Sequence, residues 1–151
     1  MPDTPERTGP ETILAFDYGR RRIGVAVGQT ITASASPLGV IGNGESGPDE
    51  ARLRALIVEW RPDRLVVGVP LHADGSPSDM QNFVNRFIAL LARYDLPVAT
   101  VDERYTSLEA EGALKSAREA GTRGRISRAE IDSAAAVFIA ERYLAARNDS
   151  Q

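Results

Sequence analysis

Four acidic residues at three points of the 151-residue chain could do chemistry, because each sits where an apolar or small-residue stretch ends or is broken. Asp17 closes the run ILAF and is followed by YGRRR. Asp102 and Glu103 come directly after PVATV. Asp132 lies in EIDSAAAVFIA, ahead of residues small enough to let a helix approach a sheet closely. Clustered carboxylates repel, and burying them unpaired is costly, so such a group is protonated, paired with arginine or loaded with a divalent cation. The chain has no cysteine and one histidine, which leaves hard oxygen ligands suited to Mg²⁺ or Mn²⁺. Two such ions about 3.5–4 Å apart would activate water on one side of a phosphodiester and stabilise the leaving oxygen on the other. Each acid also has a structural alternative. Asp17 could close a turn, Asp102 could pair with Arg104, and Asp132 could simply complement a helix dipole. His72, in the loop LHADGSP, reads as a solvent-exposed residue.

The elements that must position these acids follow from periodicity. Residues 13–18 and 22–27 read as two strands joined by a short Gly-Arg turn, with Asp17 on the face of Ile13 and Ala15. A short third strand covers 38–41, followed by the loop GNGESG. Pro48 suits the first turn of a helix reaching Trp60, with Leu53, Leu56, Ile57 and Trp60 on one face. RLVVGVP is a continuous apolar run, as a strand buried on both sides would be. Ser78 with Gln81 reads as a capping box for a helix showing Phe83, Phe87, Leu90, Leu91 and Tyr94. Residues 97–101 form the last strand, with Asp102 and Glu103 pointing to opposite faces. Thr106 with Glu109 caps a helix to about residue 120, and Ser127 with Glu130 caps a final helix to about Arg147.

The order β-β-β-α-β-α-β-α-α implies an α/β fold with a five-stranded mixed sheet and helices on both faces, the order of the ribonuclease H-like fold. Adjacency of the first and last strands would bring Asp17 to one of Asp102 and Glu103, with Asp132 overhanging from the helix. One domain spans 12–147 between polar tails at 1–11 and 148–151. No leader pattern and no apolar window of membrane length is present, so a soluble cytoplasmic protein is expected. Net charge is −3, yet residues 115–128 alone carry +4, a local basic patch able to meet phosphates on an acidic protein.

The stretches AFDYGRRRIGVAVG, VVGVPLHADGS, DERYTSLEAE and RAEIDSAAAVFIAERY resemble, in order and spacing, the four motifs of the YqgF (RuvX) family of bacterial ribonuclease H-like nucleases. The resemblance spans about residues 12–145. It implies metal-dependent phosphodiester cleavage at Asp17, Glu103 and Asp132, with Glu103 rather than Asp102 as the catalytic acid of DER and two Mg²⁺ or Mn²⁺ ions. It further implies a nucleic-acid substrate held through phosphate by Arg20, Arg21, Arg104, Arg123, Arg125 and Arg128. The substrate would be the 5′ end of pre-16S rRNA, with ribosome or pre-ribosome association, or else a four-way DNA junction. The first points to a monomer and the second to a two-fold dimer. Departures are Arg21 and Arg128 where the family commonly has Lys, His72 for Asn, and Tyr105 for Leu.

Two readings compete. DYGRRRIG resembles the first phosphate loop of actin-like and hexokinase-like ATPases, but those need a second domain to enclose nucleotide. A catalytically silent RNA-binding module on the same fold is the other, and retention of all the acids argues against it.

Overall fold

The computed structural model describes residues 10–69, 80–102 and 128–149, with the backbone alone described for 128–132 and 148–149. Six strands form one sheet: β1 (Thr12–Asp17), β2 (Arg22–Gln29), β3 (Ser34–Gly44), β4 (Gly47–Pro48), β5 (Arg64–Val69) and β6 (Val98–Asp102). The helices among the described residues are α1 (Glu50–Trp60), α2 (Gln81–Leu91, continued by one 3₁₀ turn at Ala92–Tyr94) and α3 (Arg128–Asp149). The strand order is β4-β3-β2-β1-β5-β6, antiparallel from β4 to β1 and parallel from β1 to β6.

The α/β class and the opening hairpin agree with the sequence reading, whereas strand number and order differ from it. The sixth strand is the two-residue β4, which folds the expected loop GNGESG back onto β3 as a tight hairpin. Pro48 therefore belongs to β4 and does not open α1. Asp49 caps that helix instead, its carboxylate accepting from the Arg52 amide at 3.2 Å. Helix α2 begins at Gln81 with Met80 at its N-cap, which makes no side-chain cap; Ser78 lies outside the described residues. The helix expected over 106–120 lies outside the described residues.

The first and last strands are not neighbours, because β5 lies between them. Both β1 and β5 are buried along their centres, from Ile13 to Phe16 and from Leu65 to Gly68, and two such apolar runs are best paired with each other. Strand β6 is only half-buried and takes the edge.

Side-chain alternation splits the core. Leu14, Phe16, Val25, Leu53, Leu56, Val67, Val84, Phe87 and Leu91 pack on the α1–α2 side of the sheet. Ile13, Ala15, Val66, Ile139, Ala140 and Leu144 pack on the α3 side. Close approach of α3 depends on small groups. A Cβ at Gly28 would meet the Ile13 side chain at 3.1 Å and Leu144 at 3.4 Å.

Candidate active site

Asp17 is the first polar residue after four fully buried ones, and alternation turns it to the α3 side with Ile13 and Ala15. It stands at the carboxyl end of β1, half-buried, opposite Gly24 of β2. Strands β1, β5 and β6 are parallel, so Asp17, Val69 and Asp102 mark one edge of the sheet. Ligands of open α/β sheets bind outside this carboxyl edge.

The turn after Asp17 is held in place. A Cβ on Gly19 would come within 2.5 Å of the Arg22 carbonyl oxygen, so only glycine fits. The buried Asn43 of β3 donates its amide nitrogen to the Gly19 carbonyl at 2.8 Å, and its backbone N–H reaches the Arg21 carbonyl at 2.9 Å. Arg20 and Arg21 are thereby presented from a fixed loop, both exposed.

Helix α3 runs back along the sheet from this edge. Ser133, fully buried, donates its hydroxyl to the Gly39 carbonyl at 2.9 Å. Gly39 has φ of +107° and sits where the β2–β3 register shifts, so a bulge turns its carbonyl toward the helix. Gly39 pairs with Val25, which pairs with Phe16, so the start of α3 lies level with the carboxyl end of β1. Asp132 immediately precedes Ser133. At the far end Glu11, 3% exposed, receives Arg147 at 2.6 Å and lies 3.5 Å from Arg64.

Asp102 differs from Asp17 in orientation. Ala99 and Val101 join the α3 side of the core and Val98 the other, so alternation puts Asp102 on the face away from Asp17. Its carbonyl accepts from Arg142 of α3 at 2.5 Å. With β5 interposed, the ends of β1 and β6 are roughly 10 Å apart, twice the interstrand spacing. Asp17 and Asp102 are therefore brought together neither by adjacent strands nor on one face of the sheet.

Of the residues singled out by sequence, the structure describes Asp17, Arg20, Arg21 and Asp102 with side chains, and Asp132 and Arg128 by backbone. Glu103, Arg104, Arg123, Arg125 and His72 lie outside the described residues. Among the described residues, no three of His, Cys, Asp and Glu form a cluster able to hold a metal. Sequence reasoning missed Phe83, Arg86 and Asn43. They line a cavity of about 720 Å³ with Tyr18, Arg20 and Arg21, on the α2 side of the same edge. In the sequence Phe83 belongs to an apolar helical stripe, and an exposed helical arginine carries no signal of its own.

A family model described as "RuvX: Holliday junction resolvase" matches residues 11–146. The chain belongs to the RuvX family. It is similar, at 49% identity over 93% of both chains, to a Burkholderia lata protein named "Putative pre-16S rRNA nuclease". An Azotobacter vinelandii protein of the same name is 45% identical, over 93% of this chain and 97% of that one. Among solved structures, T. thermophilus RuvC in complex with a Holliday junction substrate superposes with a TM-score of 0.57 at 13% identity, covering 93% and 97% of the two chains. That likeness establishes for this RuvX chain the ribonuclease H-like fold expected from its element order. Among its described residues, no helix is long and apolar enough to cross a membrane.

Proposed function

We propose that this RuvX protein is a divalent-metal-dependent nuclease that hydrolyses phosphodiester bonds, acting on the 5′ end of pre-16S rRNA in ribosome biogenesis. The observation that carries this reading is Asp17, a half-buried carboxylate at the carboxyl edge of the sheet, turned toward a helix whose start is bonded to β3 at the same level. Relatives named for pre-16S rRNA favour that substrate.

The residues fit a hard divalent cation. The acids offered at this edge are oxygen donors, and the chain has no cysteine to draw a softer metal. We assign Asp17, Glu103 and Asp132 as the residues that would hold Mg²⁺ or Mn²⁺, in a two-ion arrangement. Asp102 is set aside because it shares the face of Val98. The ions, when bound, activate water and neutralise charge on the leaving oxygen. The protein's part is to hold the carboxylates on rigid elements and to keep the phosphates in register. Arg20 and Arg21 do so from the clamped turn, assisted in our reading by Arg104, Arg123, Arg125 and Arg128.

The family description and the RuvC–junction complex favour a second substrate, the four-way DNA junction. Purified protein incubated with Mn²⁺ and either a 16S precursor fragment or a four-way junction distinguishes the two. Cleavage is expected with the RNA and is lost in Asp17→Asn, Glu103→Gln and Asp132→Asn. Preferential cleavage of the junction would transfer the assignment to resolution. Tight binding without cleavage of either substrate would leave a silent binding module.

A further inference from the structure

We propose that the cavity on the α2 side of the β1 end is a nucleotide subsite, in which Phe83 stacks against one unpaired base of the substrate strand while Arg20, Arg21 and Arg86 hold its phosphate. The inference rests on the nuclease reading and adds to it the form of nucleic acid recognised: a single-stranded stretch beside the scissile phosphate.

The cavity, about 720 Å³, has the size of a small-molecule site and lies next to the assigned acid. Tyr18, in its wall, follows Asp17 directly but faces the other way, its ring 5.3 Å from that of Phe87 on α2. Consecutive Cα atoms are about 3.8 Å apart, so a strand crossing the β1 end can touch Asp17 on one side and enter the cavity on the other.

Two guanidinium groups are gathered on one ring. Arg20 lies 4.9 Å and Arg86 5.9 Å from the Phe83 centroid. Like charges brought together from a β-turn and a helix repel, and the π-face of Phe83 compensates only in part. Among the described residues no carboxylate pairs with Arg20, Arg21 or Arg86, so a phosphate would complete the set.

The cavity is not lined by cations alone. Asn43 is 8% exposed, and its Oδ1 is a buried acceptor with no partner among the described residues. Glu45, in the β3–β4 turn, and Glu50, at the start of α1, add two carboxylates. A pure polyanion groove would contain neither. A nucleotide suits this mixed lining, since it carries both an anion and the N–H and O–H donors of base and ribose. Bases stacked in a duplex cannot present a face to Phe83, which is why the strand must be unpaired.

The test uses the full-length protein in EDTA, with fluorescence anisotropy of a labelled eight-nucleotide single-stranded RNA. The same RNA is also made with an abasic residue at each position in turn. For wild type, one abasic position is expected to weaken binding roughly tenfold, the scale of one stacked base. Phe83→Ala should weaken the intact RNA by a similar factor and lose the abasic penalty, and Phe83→Trp should restore both. Arg86→Gln should weaken all the RNAs alike. An abasic penalty as large in Phe83→Ala as in wild type overturns the subsite, as does a scan flat at every position. Metal-dependent cleavage alongside such a result would leave the nuclease reading intact. Phe83-dependent binding with no cleavage would keep the subsite and remove the nuclease.

Discussion

Asp17 shows what one side chain contributes when its strand is otherwise apolar. From Ile13 to Phe16 nothing polar is available, so the carboxylate is held by a strand that cannot shift register without burying it. Substituting Asp17→Asn keeps the shape and removes the charge. Metal-dependent cleavage is expected to fall at least about a hundredfold, or roughly 2.7 kcal/mol in the barrier. The same variant should lose the rise in melting temperature that Mn²⁺ gives wild type, since only a bound cation stabilises by mass action. Equal Mn²⁺-induced shifts in the two proteins would remove Asp17 from the metal site. Glu11 is a different kind of residue. Its side chain is 1% exposed and ion-paired with Arg147 and Arg64, tying the start of β1 to the end of α3. Glu11→Gln leaves two guanidinium groups short of a counter-charge and is expected to cost about 2 kcal/mol. For a domain of this size that lowers the melting midpoint roughly 4–8 °C. Cleavage by the folded protein should be unchanged, because Glu11 lies at the opposite end of the strand from Asp17.

Elements decide whether the acids can meet. The apolar run of β5, the hairpin of β1 and β2 and the amphipathic α2 were legible in the sequence, because burial on one or two faces leaves a period that can be counted. Asp17 was legible for the same reason, as the polar break in such a run. Strand order was not, since it depends on which apolar faces pair best in three dimensions. The separation of β1 from β6 by β5 follows from that choice. The bulge at Gly39 was equally hidden, because its role is to aim a carbonyl at Ser133, 94 residues on. This contact sets the start of α3 and hence the position of Asp132. Ser133→Ala leaves the Gly39 carbonyl without its donor and is expected to cost about 1 kcal/mol of stability. As a positioning residue it should also raise, several-fold, the Mn²⁺ concentration giving half-maximal cleavage. Stability lost with an unchanged Mn²⁺ requirement would make the contact purely structural.

At the scale of the whole molecule, the question is how a chain of net charge −3 holds a polyanion. Three of its cations are gathered beside Asp17. Arg20 and Arg21 project from the turn beside Asp17, and Arg86 joins them from α2 across the cavity. A local positive surface of this kind gathers phosphate even while the molecule repels it at long range, and the long-range term is screened within about 10 Å at 0.1 M salt. Phosphate contact and net charge can therefore be separated by the salt dependence of binding. Each phosphate held on a single strand contributes about −0.7 to the slope of log K against log salt. Arg21→Gln is expected to flatten that slope by roughly this amount. Arg93→Gln removes the same charge from the exposed far end of α2 and should leave the slope as it is. Anisotropy titrations of the labelled RNA at several salt concentrations make the comparison. Equal slopes for wild type and Arg21→Gln would mean that the clamped turn meets no phosphate, and the substrate path would then have to leave Asp17 by another side of the sheet edge.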